Sequence, residues 1–188
     1  MFDNLKYPIL NEDSKESVLR NAYLYACHKD IEVIKPGNVN INSPHHDTTA
    51  SDYLISSINS GSELFHEEYS LGDRILKAVI ATRDETLTNT NLGIIMLCAP
   101  IIHALVKYKG SDLREAIIKT IDDATPDDTI KICKAINISS PGGLGDASEY
   151  DTKSLPNVKL REIMSYSCLL YTSPSPRDLS TSRMPSSA

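Results

Sequence analysis

The chain has no tryptophan, and aromatic residues make up only 6% of its 188 residues. Proteins that bind single-stranded nucleic acid stack its bases on aromatic side chains, so this shortage argues against such a surface. The formal net charge is −6 at pH 7, which opposes binding to nucleic acid or to an anionic membrane. We therefore expect neither partner, although a local basic site for a phosphorylated ligand stays compatible with the composition.

Cysteine is also sparse, and no two of the cysteines are close in sequence: Cys27, Cys98, Cys133 and Cys168. Without a Cys-x-x-Cys spacing there is no zinc or redox motif, and we expect all four to be reduced and structural. The N-terminus lacks a basic segment followed by an apolar one, as a signal peptide requires. The longest apolar run, residues 92–106, is shorter than the ~20 residues of a membrane span. These absences predict a cytoplasmic protein.

Helical spacing of apolar residues recurs in almost every periodic segment. A hydrophobic share of 40% and a charged share of 23% are typical of one globular domain. The run 92–106 is apolar on all sides, which indicates a helix at the centre of a bundle. The sequence therefore predicts an all-α fold, a compact multi-helix bundle with a central apolar helix.

Several helix starts and inward faces can be predicted from the pattern. Asp13 or Ser14 can cap the first helix, Ser70-x-x-Asp73 resembles a capping box, and Thr125-Pro126-Asp127-Asp128 combines a cap, a proline and first-turn acids. The predicted inward residues are Val18, Leu19, Ala22 and Ala26 in the first helix, Leu54, Ile55 and Ile58 in the second, and Leu71, Ile75, Ala78 and Val79 in the third.

The pattern changes from Cys168 onward, where serine and proline are frequent and no helical period continues. One interpretation is a disordered tail. The other is a non-native peptide, because the segment resembles the in-frame translation of a sequencing adapter or vector end. We expect residues 1–167 to form the helical domain, incomplete at its C-terminus. Residues 168–188 are then a disordered read-through tail, to be excluded from functional reasoning.

The first polar loop contains Lys35-Pro36-Gly37. Proline and glycine together favour a sharp turn that would hold the lysine ammonium in place. Lysine is a common phosphate partner, and Gly37 would let a ligand approach the backbone. The alternative is an ordinary surface turn with a solvated lysine.

The second polar loop contains His45-His46-Asp47. Imidazole and carboxylate groups can move protons near neutral pH or bind a metal. Adjacent histidines on a helix would point to different sides, so one shared metal is not implied. The structural alternatives are that Asp47 or Thr49 caps the following helix, or that a histidine donates to a carbonyl.

The third polar loop runs into the apolar helix and contains Asn89, Thr90, Asn91 and Gly93. A helix N-terminus presents free N–H groups and partial positive charge, which favour an anion. Hydroxyl and amide groups there can hold phosphate or ribose, and Gly93 leaves room for a ligand. The alternative is a capping cluster with Thr90 or Asn91 as the N-cap.

The fourth loop is rich in glycine, with Gly142, Gly143 and Gly145 close together. Such a segment can form a nest of backbone N–H groups that binds an anion. It lacks the Gly-Lys-Ser/Thr of a P-loop and the flanking strand of a dinucleotide site. The alternative is a flexible connection between two helices.

Taken in order, these loops resemble the triphosphoribosyl-dephospho-CoA synthase family. The resemblance rests on Lys35-Pro36-Gly37, His46-Asp47, Asn89-Thr90 with Gly93, and Gly142-Gly143-Leu144-Gly145, and it extends over residues 18–167. The residue sequences of the first two loops look closest to those of a divergent branch of this family. Better-known members have His-Lys-Gly where this chain has Asn91-Leu92-Gly93.

The resemblance implies a transferase that joins the ribose C1 of ATP to the 2′-hydroxyl of dephospho-CoA and expels adenine. It implies that Asp47 or His46 deprotonates the hydroxyl, and that Mg²⁺ accompanies ATP with Asp47 as its candidate ligand. Glu85 or Asp146 could assist the departure of adenine. The implied nucleotide- and phosphate-binding residues are Lys35, Gly37, Asn89, Thr90, Asn91, Gly93, Gly142, Gly143 and Gly145.

Two alternatives from other functional classes stay open. One is a nucleotide-binding relative without transferase activity, and the other is a helical interaction protein without a small-molecule site. A transferase or a nucleotide-binding protein requires the four loops to line one cleft, whereas an interaction protein would scatter them over the surface. The sequence leaves the oligomeric state open.

Overall fold

The computed structural model describes residues 14–34, 39–44, 48–86, 88–141 and 149–171. These residues form seven α-helices and a short 3-10 helix at Thr152–Ser154, with no strand among them, which confirms the all-α prediction. None of the helices in these ranges combines the length and the apolar character that crossing a bilayer requires. The helices are α1 (Lys15–Glu32), α2 (Ala50–Leu64), α3 (Leu71–Thr86), α4 (Leu92–Lys107), α5 (Leu113–Asp123), α6 (Pro126–Ser139) and α7 (Leu160–Tyr171).

Three helices begin where the sequence predicts. Ser14 caps α1, its Oγ accepting a hydrogen bond from the backbone N–H three residues on. At α3 the Asp73 N–H donates to Ser70 Oγ over 3.2 Å. At α6 the Asp128 N–H donates to Thr125 Oγ1 over 3.2 Å, and the Thr125 N–H donates to Asp128 Oδ2 over 2.8 Å. These bonds satisfy N–H groups that a helix start would otherwise leave without partners.

The main core is formed mostly by α1 to α4 together with α6. All four residues predicted to point inward from α3 are buried. Within α4, Ile95 and Ala99 have no exposed surface, whereas Leu97 is 69% exposed. The apolar helix therefore supplies core residues from one face and leaves part of another face open.

The predicted inward faces of α1 and α2 are confirmed only for Leu19 and Leu54, and their other predicted members, including Ala22 and Ala26, are wrong. Val18 is 62% exposed, and Ile55 and Ile58 are also exposed. The two helices meet through small and polar groups instead, with a 2.8 Å hydrogen bond between Tyr23 Oη and Ser60 Oγ. The residues that α1 and α2 bury are Ser17, Tyr23, Leu24, Cys27 and Ile31, and Ala50, Leu54, Ser56, Ser57, Ser60, Gly61 and Leu64.

Contacts between neighbouring helices fix their directions. Ile31, near the end of α1, packs with Ala50 and Leu54 at the start of α2, so these helices are antiparallel. The Thr82 hydroxyl near the end of α3 faces the Ser56 carbonyl of α2 at 3.5 Å. Helix α3 is therefore antiparallel to α2.

Helix α6 runs parallel to α3. The Gly72 N–H at the start of α3 donates to Asp128 Oδ1 at the start of α6 over 2.8 Å. Lys131, one turn further along α6, reaches back to the same level of α3, with its Nζ 3.0 Å from Asp73 Oδ2. The two helices stay in contact along their length from this shared start, so they run in the same direction. Because α3 has 16 residues and α6 has 14, the two helices also end close to the same level.

One end of the bundle thus gathers five helix termini, and we call it the loop end. These are the C-termini of α1, α3 and α6 and the N-termini of α2 and α4. The opposite end carries the start of α3, the end of α4 and the start of α6. Each polar loop of the sequence lies in a connection between two helices. Most of the helix termini that these connections join lie at the loop end.

Candidate functional site

Most of the predicted site lies outside the described residues. Lys35 and Gly37 belong to the segment 35–38, His46 and Asp47 to 45–47, and the glycines of the fourth loop to 142–148. The described residues that flank these segments can still be located. Val33 follows α1, Thr49 precedes α2, and Ser140 follows α6, so each segment connects to a helix terminus at the loop end.

Capping of α2 does not require Asp47. Thr49 is the N-cap residue, and its N–H and hydroxyl donate to Asp52 Oδ2 over 2.7 and 2.8 Å. The structural alternative for this loop is therefore met by Thr49.

The start of α4 is weakly capped. Asn91 is the N-cap residue, but its side chain makes no capping hydrogen bond. The Leu92 N–H reaches Asn89 Oδ1 only at 3.4 Å, which is long for a hydrogen bond. A methyl group added at Gly93 would meet no atom within 4 Å, so open space lies beside the first turn. This start of a 16-residue helix combines partial positive charge with room for an anion.

Thr90 and Asn91 face inward rather than toward that open space. Their exposed fractions are 8% and 4%, and their side chains bond to α2. Thr90 Oγ1 and Ser56 Oγ lie 2.5 Å apart. Asn91 Nδ2 donates to the Ser56 carbonyl over 3.2 Å and to Ser60 Oγ over 3.1 Å. Both side chains therefore attach the third loop to the bundle.

The remaining polar side chains of the third loop are Thr88 and Asn89. Asn89 is exposed, as a residue that contacts a ligand from solvent must be. Thr88 Oγ1 is buried and has no hydrogen-bond partner among the described residues. Glu85, in the last turn of α3, is also exposed at the loop end. The loop thus offers one exposed amide and one buried hydroxyl whose bonding capacity is unused.

Sequence reasoning missed the part that α2 plays. Ser56 and Ser60 are one helical turn apart, and both are fully buried. In the sequence these two serines are four residues apart, in a segment that also contains Ser57 and Gly61. A buried helix face of small hydroxyl residues is a usable signal, but apolar periodicity alone does not detect it.

The opposite end of the bundle holds a separate polar cluster. Arg74 is 1% exposed and donates to the carbonyls of Leu64 and Tyr69. Burial lowers the pKa of Arg74 to about 10. His103 is 6% exposed, and its Nδ1 has no partner within the described ranges. Burial, with the positive charges of Arg74 and Lys107, lowers the pKa of His103 to about 4. Arg74 stabilises the fold through its two bonds, whereas the unpartnered nitrogen of His103 destabilises it. Both groups are remote from the loop end.

An apolar groove runs between α1 and α4, with a volume of about 160 Å³. Leu19, Tyr23, Cys98 and Ile102 are among the side chains that line it. It offers little that could orient a nucleotide, since such sites combine apolar walls with a few well-placed polar groups. Within the described ranges no group of three or more His, Cys, Asp or Glu side chains could hold a metal ion.

The comparisons with known proteins bear directly on the family resemblance. The family CitG, described as ATP:dephospho-CoA triphosphoribosyl transferase, matches residues 16–170. The chain belongs to this family. The matched range includes all four polar loops and nearly all of the seven helices. Membership identifies the chain as a transferase-family protein. Searches of curated proteins and of solved structures found no match.

Proposed function

We propose that this protein transfers the 5-triphosphoribosyl group of ATP to the 2′-hydroxyl of dephospho-CoA and releases adenine. The bond between ribose C1′ and adenine N9 breaks, and a bond forms between C1′ and the acceptor oxygen. The observation that carries the proposal is the family match over residues 16–170. The location of the helix termini supports it, because segments from distant parts of the sequence start or end at the loop end.

The triphosphate is the part of ATP that the described residues suit best. The start of α4 offers N–H groups with little side-chain capping and open space at Gly93. In this proposal Asn89 contacts the phosphates or ribose. Thr90 and Asn91, predicted from the sequence to bind the nucleotide themselves, contribute by holding the loop against α2. Lys35, Gly37 and the glycines of the fourth loop (Gly142, Gly143 and Gly145) complete it with positive charge and backbone N–H groups.

Proton transfer is assigned to the second loop. Asp47 accepts the proton of the attacking 2′-hydroxyl, with His46 as the second candidate for this role, and Glu85 or Asp146 donates the proton that adenine takes up as it leaves. Asp47 would also be the ligand for the Mg²⁺ that accompanies ATP, because a carboxylate oxygen is the donor that this ion prefers. When bound, the ion would neutralise phosphate charge. The reaction passes through an oxocarbenium-like state, so a carboxylate close to the ribose would also stabilise developing positive charge.

The direct test is to incubate the purified chain with ATP, dephospho-CoA and Mg²⁺ and to measure free adenine. Adenine should accumulate only when both substrates are present. Asp47→Asn should reduce the rate at least about a hundredfold, the usual contribution of a general base. Asp84→Asn, a change at an exposed carboxylate in the last turns of α3, provides the matched control.

The outcomes separate the alternatives. Adenine release excludes a protein that only binds nucleotide. ATP binding without adenine release contradicts the proposed transfer and favours the nucleotide-binding relative. Absence of any ATP binding contradicts both and favours a helical interaction protein.

A further inference from the structure

Two serines of α2 contact the third loop at the point where it enters α4. Ser56 and Ser60 have no exposed surface, and both bond to side chains of that loop. We infer that Ser56 and Ser60 are positioning residues that hold the start of α4 in the geometry that binds the triphosphate. This inference rests on the proposed function and adds to it a set of residues that do not themselves touch the substrate.

Ser56 holds the loop through both its side chain and its backbone. Its Oγ lies 2.5 Å from Thr90 Oγ1 and 2.6 Å from the Asp52 carbonyl. Its carbonyl oxygen accepts from Asn91 Nδ2 over 3.2 Å. In a water-excluded interior such bonds are electrostatically stronger, and a missing partner leaves a polar group unsatisfied. The loop therefore has one strongly favoured position relative to α2.

Ser60 extends this attachment to α1. Its Oγ accepts from Asn91 Nδ2 over 3.1 Å and lies 2.8 Å from Tyr23 Oη. Burial raises the pKa of Tyr23 well above its usual range, so the phenol keeps its proton. The N-cap residue of α4 is thus connected through one serine hydroxyl to the centre of α1.

This arrangement divides the third loop into two functional parts. Thr90 and Asn91 use their side chains to attach the loop, which leaves the exposed Asn89 and the first-turn N–H groups for the ligand. An error of about 1 Å in such an anchor is enough to weaken a pre-organised site severely. The side chains that fix the loop are consequently as necessary as those that contact the phosphates.

The experiment compares Ser56→Ala with Ser57→Ala in the full chain. Ser57 is the matched control because it is 3% exposed on the same helix. Among the described residues, its hydroxyl bonds only to the Leu54 carbonyl, over 2.7 Å. Two quantities are measured for each variant. One is the affinity for ATP in the presence of Mg²⁺. The other is the hydrogen-exchange rate of the backbone N–H groups of residues 95–98, which begin with the Ile95 N–H that donates to the Asn91 carbonyl over 2.9 Å.

Ser56→Ala should weaken ATP binding about tenfold and accelerate exchange at residues 95–98, as expected for the loss of one buried hydrogen bond. Ser57→Ala should change neither quantity by more than about twofold. Thr90→Val should reproduce the effect of Ser56→Ala, and Thr90→Ser should restore binding because it keeps the hydroxyl. These Thr90 variants test the inference even where Ser56→Ala does not fold.

The contrary results are distinct. Unchanged ATP affinity in both Ser56→Ala and Thr90→Val overturns the inference, and so does faster exchange without weaker binding, since the serine is then only structural. Equal losses in Ser56→Ala and Ser57→Ala also overturn it. If the unmodified chain does not bind ATP, the proposed function itself fails and the inference falls with it.

Discussion

Gly72→Ala should destabilise the protein more than its small size suggests. Gly72 lies in the first turn of α3, where that helix meets the start of α6. A methyl group at this position would lie 2.6 Å from the Asp128 Cα and 2.8 Å from its carbonyl oxygen. These are backbone atoms of a capped helix start, so the two helices must separate to make room.

The expected loss combines two destabilising contributions with one smaller stabilising contribution. Forcing a methyl group into a packed contact costs about 1–3 kcal/mol. Separating the helices also weakens the bond between the Gly72 N–H and Asp128 Oδ1, and a hydrogen bond to a charged group contributes about 1.5–3 kcal/mol. Alanine in place of glycine favours the helix by about 0.5–1 kcal/mol. The free energy of unfolding should therefore fall by about 3 kcal/mol.

Thermal and urea denaturation, followed by circular dichroism at 222 nm, can measure this change. For a chain of this size the Tm should fall by roughly 6–12 °C. Gly93→Ala is the control, because a methyl group there meets nothing within 4 Å and should leave the protein as stable or slightly more stable. If the two variants are equally stable, a methyl group at position 72 does not come within 2.6 Å of α6, and the two helices are further apart there.

Three other predictions concern charge, substrate and the tail. The pKa of His103 is about 4 in the folded protein and about 6.5 unfolded, so the unfolded chain binds the proton more tightly. Stability should therefore be unaffected by this group above pH 6.5 and should fall by about 3 kcal/mol between pH 6.5 and 4. His103→Leu should reduce that loss in denaturation curves, and an unchanged pH dependence would exclude the histidine as its source. Lys35→Ala should weaken ATP binding about tenfold without lowering the Tm. Lys109→Ala, at an exposed position of the opposite end, is the control and should not change ATP binding. Equal ATP affinities in the two variants would remove Lys35 from the site. Deleting residues 172–188 should change the free energy of unfolding by less than about 0.5 kcal/mol, measured in urea, and a larger loss would contradict the expectation of a read-through tail.

Local chemistry made some parts of the fold predictable. The starts of α1, α3 and α6 follow from short sequences in which a hydroxyl or carboxylate satisfies nearby N–H groups. The inward face of α3 follows from Leu71, Ile75, Ala78 and Val79, whose spacing leaves one continuous apolar stripe. In each case the determining residues are within a turn or two of each other, so the sequence contains the whole interaction.

The faces of α1 and α2 could not be predicted in this way. Their contact depends on Ser56, Ser60 and Gly61 meeting Tyr23, and none of these residues adds to an apolar stripe. Small residues let helices approach closely, and serine hydroxyls are satisfied by carbonyls of the preceding turn, as between Ser60 Oγ and the Ser56 carbonyl at 2.6 Å. Burial of these groups depends on a partner helix far away in sequence.

Of the candidate site, the described residues bear only on the third loop. The third loop was identified from its polar residues before an apolar helix, and Asn89 and Gly93 are exposed there. That Thr90 and Asn91 point toward α2 depends on tertiary packing, which no local pattern specifies. The assignments to Lys35, His46, Asp47 and the glycine loop stay predictions.

The two ends of the bundle can be altered independently. Gly110, in the turn that follows α4, has a positive φ of 88° and open space around it. That turn faces away from the loop end, and the exposed Lys109 and Ser111 flank the glycine, so a fluorophore or an affinity tag could be attached at either of them while Gly110 is kept. Such a handle would allow ligand binding to be followed by fluorescence or on a sensor surface while the loop end faces the solution. It would also let a library of loop variants be displayed on one unchanged scaffold.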